Sequence, residues 1–263
     1  MSALSERFAS SASGGKRTLV AYVTAGDPSL EQSADVLRAL DRAGADVIEV
    51  GVPFSDPVAD GPAIQRAVER ALTAGGNLAA TLDLIARVKR DIAAPIVLFT
   101  YVNPVLRMGL EAFVARAADA GVNGVLMLDL PIEESASMRA ALDRRGLDQI
   151  FLVSPTTTDD RLAEAARLGR GFLYAISRLG VTGARDTVAD TAAPLVGRIR
   201  RFTKLPIALG FGISRPEHVK AVNAFADAAV VGSAIVQVIE EAAAARKPAA
   251  PEVERFVSWL KQG

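Results

Sequence analysis

The stretch DVIEVGVPF at residues 46–54 is the most informative about the fold. Its apolar, β-branched flanks predict a strand that is buried on both faces, as in a parallel sheet covered by helices. Glu49 lies in the middle of this run, where an unpaired carboxylate is costly. Asp60 follows on the turn-rich segment SDPVADG at residues 55–61. We therefore expect two carboxylates to meet at the C-terminal end of one strand, a pairing typical of acid–base chemistry.

Apolar segments of this kind alternate along the chain with helical patterns rich in Ala, Leu and Arg. The predicted strands cover residues 18–24, 46–51, 95–101, 124–130, 149–155, 171–177, 206–212 and 228–233. Residues 30–44 are typical of the intervening helices, because apolar positions recur every three or four residues and a Gly ends the pattern. Eight βα units in a chain of this length predict an α/β fold, a (β/α)8 TIM barrel formed as a single domain by residues 1–263.

Three local segments refine this fold. The segment LSERF near residue 6 is expected to form a short extra N-terminal helix at the barrel floor. KPAAP at residues 247–251 is expected to interrupt the helical C-terminal region. Residues 24–28 read TAGDP where a dinucleotide-binding fold carries GxGxxG, which disfavours that alternative.

Composition narrows the classes of function. The 263 residues include 30 basic and 30 acidic side chains, well mixed, and half of the residues are hydrophobic. This balance argues against nucleic acid or an anionic membrane as partner. Cysteine is absent, which removes disulfides, thiolate ligands and cysteine nucleophiles and fits a reducing compartment. The sequence shows no targeting segment or apolar run of membrane-spanning length, so we expect a cytoplasmic protein.

Two glycine-containing turns follow the last two predicted strands. They read GFGIS at residues 210–214 and VGSAI at residues 231–235, and each is expected to lead into a helix. Backbone N–H groups at such turns, together with the helix dipole, bind phosphate in barrels without a dedicated lysine. Gly183 could close over the same anion. The turns therefore predict a phosphorylated substrate.

The residues that Schiff-base and metal-dependent barrel enzymes need are missing from the expected positions. All six lysines precede strands or lie in predicted helices or the C-terminal tail, which disfavours a Schiff base. His218 is the only histidine, and cysteine is absent, so we expect no metal site. We expect His218 itself to be a partly exposed residue on a helix surface. Asp129, at the end of the fourth predicted strand, is either a site residue or a structural hydrogen-bond acceptor. Carboxylate chemistry is what remains.

The segment IEVGVPFSDPVADG at residues 48–61 resembles the signature of the tryptophan synthase alpha chain family. Similar segments run along nearly the whole chain, namely VTAGDP, TYVNP, DLPIEES, SPTT, GVTGAR, GFGIS and VGSAIV. The resemblance implies a lyase of tryptophan biosynthesis that cleaves indole-3-glycerol phosphate to indole and glyceraldehyde 3-phosphate. It also implies no cofactor in this chain, pyridoxal phosphate in a partner beta chain, and an alpha2beta2 heterotetramer.

The resemblance further implies roles for individual residues. Glu49 is expected to protonate carbon 3 of the indole ring, and Asp60 to bind the ring N–H and stabilise the developing positive charge. The remaining expected contacts are Tyr174, Thr182 and Phe211 for the substrate and Gly183, Gly212, Gly232 and Ser233 for its phosphate. Leu179 departs from the family pattern, where a small polar residue is expected, and this bears on closure of the loop around Thr182.

Several alternatives remain open. Glu49 could instead be a buried carboxylate paired with an arginine, and Asp56 a turn former or partner contact. The chain could be a stand-alone indole-releasing lyase, or mainly a regulatory partner of a beta chain. Another sugar-phosphate barrel is also conceivable, such as an epimerase or indole-3-glycerol phosphate synthase, although the latter would require a lysine at the upper face.

Overall fold

The computed structural model describes residues 1–14, 18–177, 188–210 and 212–262, and their side chains except those of residues 188–191. Parallel strands in these ranges form a closed barrel in chain order. They are β1 Thr18–Thr24, β2 Val47–Gly51, β3 Ile96–Thr100, β4 Gly124–Met127, β5 Asp148–Val153, β6 Leu173–Ile176, β7 Ile207–Gly210 and β8 Ala228–Val231. The predicted barrel is confirmed. All eight predicted strands are present, and the first has the predicted bounds.

Helices surround the barrel. In the described ranges they are α1 Ala3–Ser13, α2 Leu30–Arg42, α3 Pro62–Thr73, α4 Leu78–Val88, α5 Val102–Met108, α6 Leu110–Ala120, α7 Ala136–Arg144, α8 Asp159–Leu168, α9 Val188–Arg200, α10 Pro216–Val222, α11 Ser233–Ala244 and α12 Ala249–Leu260. Pro248 precedes α12, so the KPAAP segment interrupts the C-terminal helices as predicted. Within the described ranges no helix has the length and apolarity needed to cross a membrane.

Alternation along the strands separates two apolar layers. Val20, Val47, Val97 and their counterparts on the other strands form a cluster inside the barrel. Intervening positions such as Ile48 pack against the helices in a second, larger cluster. Successive strand residues point to opposite faces, so Glu49, two residues after Val47, points into the barrel. The strand period therefore places the first candidate carboxylate in the interior.

The N-terminal helix α1 closes the floor of the barrel, as the LSERF segment predicts. Its Leu4 and Phe8 belong to the interior cluster, and the Phe8 ring centroid lies 5.4 Å from that of Phe172. A Cβ atom at Gly124 would lie 2.8 Å from Leu4 Cδ1, so glycine on β4 makes room for α1, which plugs the barrel floor. Ser2 Oγ donates to Asp148 Oδ2 at 2.5 Å and ties the start of α1 to β5.

The plug should contribute to stability through Leu4, which is fully buried. We expect Leu4→Ala to lower the free energy of unfolding by about 3 kcal/mol, because it removes buried methyl groups and leaves a cavity. Leu106→Ala is the matched control, since Leu106 is 69% exposed. Denaturant unfolding of the isolated chain measures both. A loss for Leu4→Ala no larger than for the control would contradict a role of α1 in the core.

Candidate active site

Glu49 sits on β2 with its side chain inside the barrel and no exposed surface. Among the described residues neither of its carboxylate oxygens has a hydrogen-bond partner. Burial in this apolar interior raises the pKa of Glu49 from 4.5 to about 8. The alternative of a Glu49–arginine ion pair is not seen in the described structure. At neutral pH the carboxyl group is therefore mostly protonated and can donate a proton.

Two tyrosines lie beside this carboxyl group. Tyr22 faces Glu49 across the β1–β2 ladder. Burial raises the pKa of both Tyr22 and Tyr174, and the negative charges of Asp60 and Glu49 raise that of Tyr22 further. Tyr22 was not among the predicted site residues. Its signal in the sequence is weak, because an aromatic residue in a buried strand is usually core.

Glycines make room for both phenol groups. A Cβ atom at Gly51 would overlap Tyr22 Oη, and one at Gly210 would lie 2.7 Å from Tyr174 Oη. Real Cβ atoms do not approach other atoms so closely, so a larger residue at either glycine would displace the tyrosine beside it. The arrangement around Glu49 thus depends on two small residues at strand ends.

Asp60 lies partly buried on the loop between β2 and α3. The Tyr101 hydroxyl donates to Asp60 Oδ2 at 3.1 Å and accepts a hydrogen bond from Ala59 N at 3.1 Å. Partial burial raises the pKa of Asp60, and the hydrogen bond from Tyr101 opposes this shift. Tyr101 is 3% exposed; the sequence places it at the end of the third predicted strand, residues 95–101, and does not predict it as a site residue. Tyr101 fixes the Asp60 loop onto the end of β3.

A cavity of about 310 Å³ opens at the C-terminal mouth of the barrel. Its lining includes Tyr22, Phe99, Tyr174, Gly212, Gly232 and Ser233. The structure thus brings together four of the predicted contacts. Glu49 and Asp60 are not part of this lining. Glu49 lies beside the two tyrosines that line the cavity, and its carboxyl group has no exposed surface.

The N-terminus of α11 provides the candidate anion site. Gly232 is its N-cap, and within the described ranges no side chain caps the first N–H groups of α11. Unpaired N–H groups and the helix dipole favour an anion at this position. The GFGIS turn also leads into a helix as predicted, since the next residue, Arg215, is the N-cap of α10, which is seven residues long.

The other predicted positions divide as follows. Thr182, Gly183, Phe211 and the departure at Leu179 lie outside the described residues. Asp129 Oδ1 accepts from Val102 N at 2.7 Å, which is the structural alternative, since it caps the start of α5. His218 is partly exposed on α10, as expected. In the part of the chain that the structure describes, no group of three acidic or histidine side chains could hold a metal.

Fold and candidate site together are those of a (β/α)8-barrel enzyme with one carboxyl group buried inside the barrel on β2 and a second on the loop that follows β2. The family model for Tryptophan synthase alpha chain matches residues 8–263. The chain therefore belongs to the tryptophan synthase alpha chain family, lyases of tryptophan biosynthesis.

Relatives and solved structures agree with this assignment. The tryptophan synthase alpha chain of Citrifermentans bemidjiense is 49% identical over 263 residues, which cover 100% of this chain and 98% of the relative. That of Solibacter usitatus is 48% identical over 250 residues, or 94% of this chain and 92% of the relative. The crystal structure of tryptophan synthase subunit alpha from Legionella pneumophila superposes with a TM-score of 0.90 at 33% identity, covering 100% and 98% of the two chains.

Burial of Glu49 should make stability depend on pH. Between pH 4.5 and about 8 the folded state keeps the Glu49 proton and the unfolded state releases it. Stability should therefore fall as pH rises through this window, by about 1.4 kcal/mol per pH unit from this group alone. Because glutamine does not titrate, the stability of Glu49→Gln relative to the parent should increase by about 1.4 kcal/mol for each pH unit in this window. Denaturant unfolding of both proteins between pH 5 and 8 measures the difference, in which other titrating groups cancel. A difference independent of pH would contradict the protonated state of Glu49.

Proposed function

We propose that this chain cleaves indole-3-glycerol phosphate by carboxylate acid–base catalysis with Glu49 and Asp60. The observation that carries the proposal is the buried Glu49 carboxyl group, whose pKa of about 8 keeps a proton available at neutral pH. An acid with a pKa near the working pH is effective in proton transfer. Membership of the family indicates the reaction, and the Glu49 carboxyl group is the proposed proton donor in its first step.

In the proposed reaction Glu49 gives its proton to carbon 3 of the indole ring. The ring becomes positively charged, and Asp60, held by Tyr101, accepts a hydrogen bond from the ring N–H and stabilises that charge. The Glu49 carboxylate then takes the proton of the hydroxyl group on the adjacent side-chain carbon. As that carbon becomes an aldehyde, the bond to carbon 3 breaks and its electron pair restores the neutral ring. The products are indole and glyceraldehyde 3-phosphate, and Glu49 is protonated again.

The cavity at the barrel mouth supports this binding mode. Tyr22, Phe99 and Tyr174 supply apolar surface for the ring, and the Gly212 turn and the Gly232–Ser233 start of α11 supply the phosphate site. Thr182, Gly183 and Phe211 are proposed as further contacts from the family resemblance alone. Because Glu49 has no exposed surface, its carboxyl group reaches the ring only after Glu49 or a neighbouring tyrosine changes rotamer.

Indole release from indole-3-glycerol phosphate tests the proposal directly. We expect Glu49→Gln to lower the rate by at least about 100-fold, because a carboxamide of the same size donates no such proton. Asp60→Asn should also lower it, since a neutral group stabilises the ring charge less. Glu254→Gln on α12 is the control and should retain the parent rate. Normal turnover by Glu49→Gln would refute the role of Glu49.

We propose further that the chain works with a pyridoxal-phosphate beta chain in an alpha2beta2 heterotetramer, in the cytoplasm and as one domain. An apolar surface beside the barrel mouth supports the partner. Val58, on the loop after β2, is 86% exposed, and Leu106, on α5, is 69% exposed. A cavity of about 420 Å³ between that loop and α5 is lined by Phe54, Pro104, Met108 and others. Exposed large apolar side chains are typical of a protein interface when they form a patch.

Leu106 offers a test of this surface. We expect Leu106→Ser to weaken the beta chain's stimulation of indole release, because it removes apolar area from the interface, while indole release by the isolated chain stays unchanged. Trp259→Ser is the control, since Trp259 is 43% exposed on α12, away from the β2–α3 loop and α5. Titration of each variant with beta chain measures the effect. Indole release that needs no beta chain would favour the stand-alone lyase, and no release in either condition would favour a regulatory role.

A further inference from the structure

Four charged side chains form a continuous chain of ion pairs along the outside of the barrel mouth. Arg70 donates Nε to Asp27 Oδ1 at 2.7 Å and Nη2 to Asp27 Oδ2 at 2.9 Å. Its Nη1 donates to Glu240 Oε1 at 2.9 Å. Arg66 binds the same Glu240 with two donors, at 2.7 and 2.8 Å. Bidentate guanidinium–carboxylate pairs of this kind fix both distance and orientation.

The two pairs that Arg70 forms are less exposed than ordinary surface ion pairs. The Asp27 side chain is fully buried, and those of Arg70 and Glu240 are 26% and 28% exposed. Burial raises the pKa of Asp27, an effect that its hydrogen bonds from Arg70 oppose. Hydrogen bonding from Arg66, with the nearby Arg70, lowers the pKa of Glu240 to about 2. Glu240 therefore stays ionised at any physiological pH, and its pairs with Arg66 and Arg70 persist across that range.

The ion-pair chain connects the elements that carry the two ends of the proposed site. Arg66 and Arg70 lie on α3, which starts directly after Asp60 and Gly61. Glu240 lies on α11, which starts at Ser233 beside the candidate phosphate site. Arg66 Nη1 also donates to the Pro62 carbonyl in the first turn of α3, at 3.3 Å.

The same two helices also pack around Tyr22. Ala67 of α3 and Val236 of α11 form one buried cluster with Tyr22, which lines the cavity. A change in the angle or separation of α3 and α11 would therefore displace three parts of the candidate site. These are the loop that carries Asp60, the start of α11 at Ser233, and Tyr22 beside Glu49.

We propose that Arg70 and Glu240 are positioning residues, which hold the Asp60 end and the phosphate end of the cavity at the separation that one phosphorylated, ring-bearing substrate requires. This inference rests on the proposed function. Neither residue touches the cavity, so each acts through α3 and α11. A substrate that spans both ends depends on their alignment, and small misplacements cost a large factor in rate. A ligand that fills only one end does not.

Glu240→Leu tests the inference, because leucine has a similar size and helix propensity but accepts no hydrogen bond. We expect kcat/KM for indole-3-glycerol phosphate to fall by at least about tenfold. The dissociation constants of inorganic phosphate and of indole, each of which fills one end, should change less than about twofold. Glu254→Leu is the matched control, since Glu254 pairs with Arg42 across α2 and α12, and it should leave all three quantities unchanged.

Arg70→Lys is the second variant, and it carries the test if Glu240→Leu does not fold. Lysine keeps a positive charge opposite Asp27 but cannot bind Asp27 and Glu240 at once in the fork geometry of arginine. The same split is expected, with kcat/KM reduced and both single-end affinities kept. Equal losses for all three ligands, or behaviour like Glu254→Leu, would overturn the inference. Absence of indole release by the parent chain would refute the proposed function, whereas the variant results refute only the positioning role, so the two failures are distinguishable.

Discussion

The constraint on which the site depends is a carboxyl group that lies inside a closed barrel without a hydrogen-bond partner among the described residues. Ionising Glu49 there means placing a charge in an apolar interior, so the group keeps its proton instead. An arginine partner would reverse this preference and leave a permanently ionised carboxylate, which could not act as an acid. The large buried core compensates for the polar group, and the strand period turns it inward rather than towards the helices.

Asp60, the second carboxylate of the candidate site, lies in a different environment. It lies on a loop, is only partly buried, and has a hydroxyl donor in Tyr101, whereas Glu49 has none in the described structure. Two carboxyl groups whose surroundings differ in this way suit different tasks, one holding a proton and one responding to charge. Tyr101 has a further effect, because its bond from Ala59 N fixes the loop that carries Asp60.

Sequence patterns predicted the barrel and the burial of Glu49 on its second strand, because strand burial is a local signal. They overestimated β4, which ends at Met127 because Asp129 turns away to cap Val102. They also began β6 at Gly171, whose φ of 71° falls outside strand geometry. Tyr22 was missed for a different reason. A tyrosine in a buried strand looks like a core residue until its partner on the adjacent strand is known, and that partner depends on the register of strand pairing.

The closed position of Glu49 has a consequence for the order of events in the proposed reaction. The start of α11 at Ser233 opens into the cavity, whereas the Glu49 carboxyl group lies beneath Tyr22 and Tyr174 with no exposed surface. The anionic end of a substrate can therefore bind before the acid is accessible. Binding energy from that remote end is then available to offset the rotamer change that brings acid and ring together. Because burial raises its pKa to about 8, the carboxyl group is protonated at neutral pH before a substrate enters the cavity.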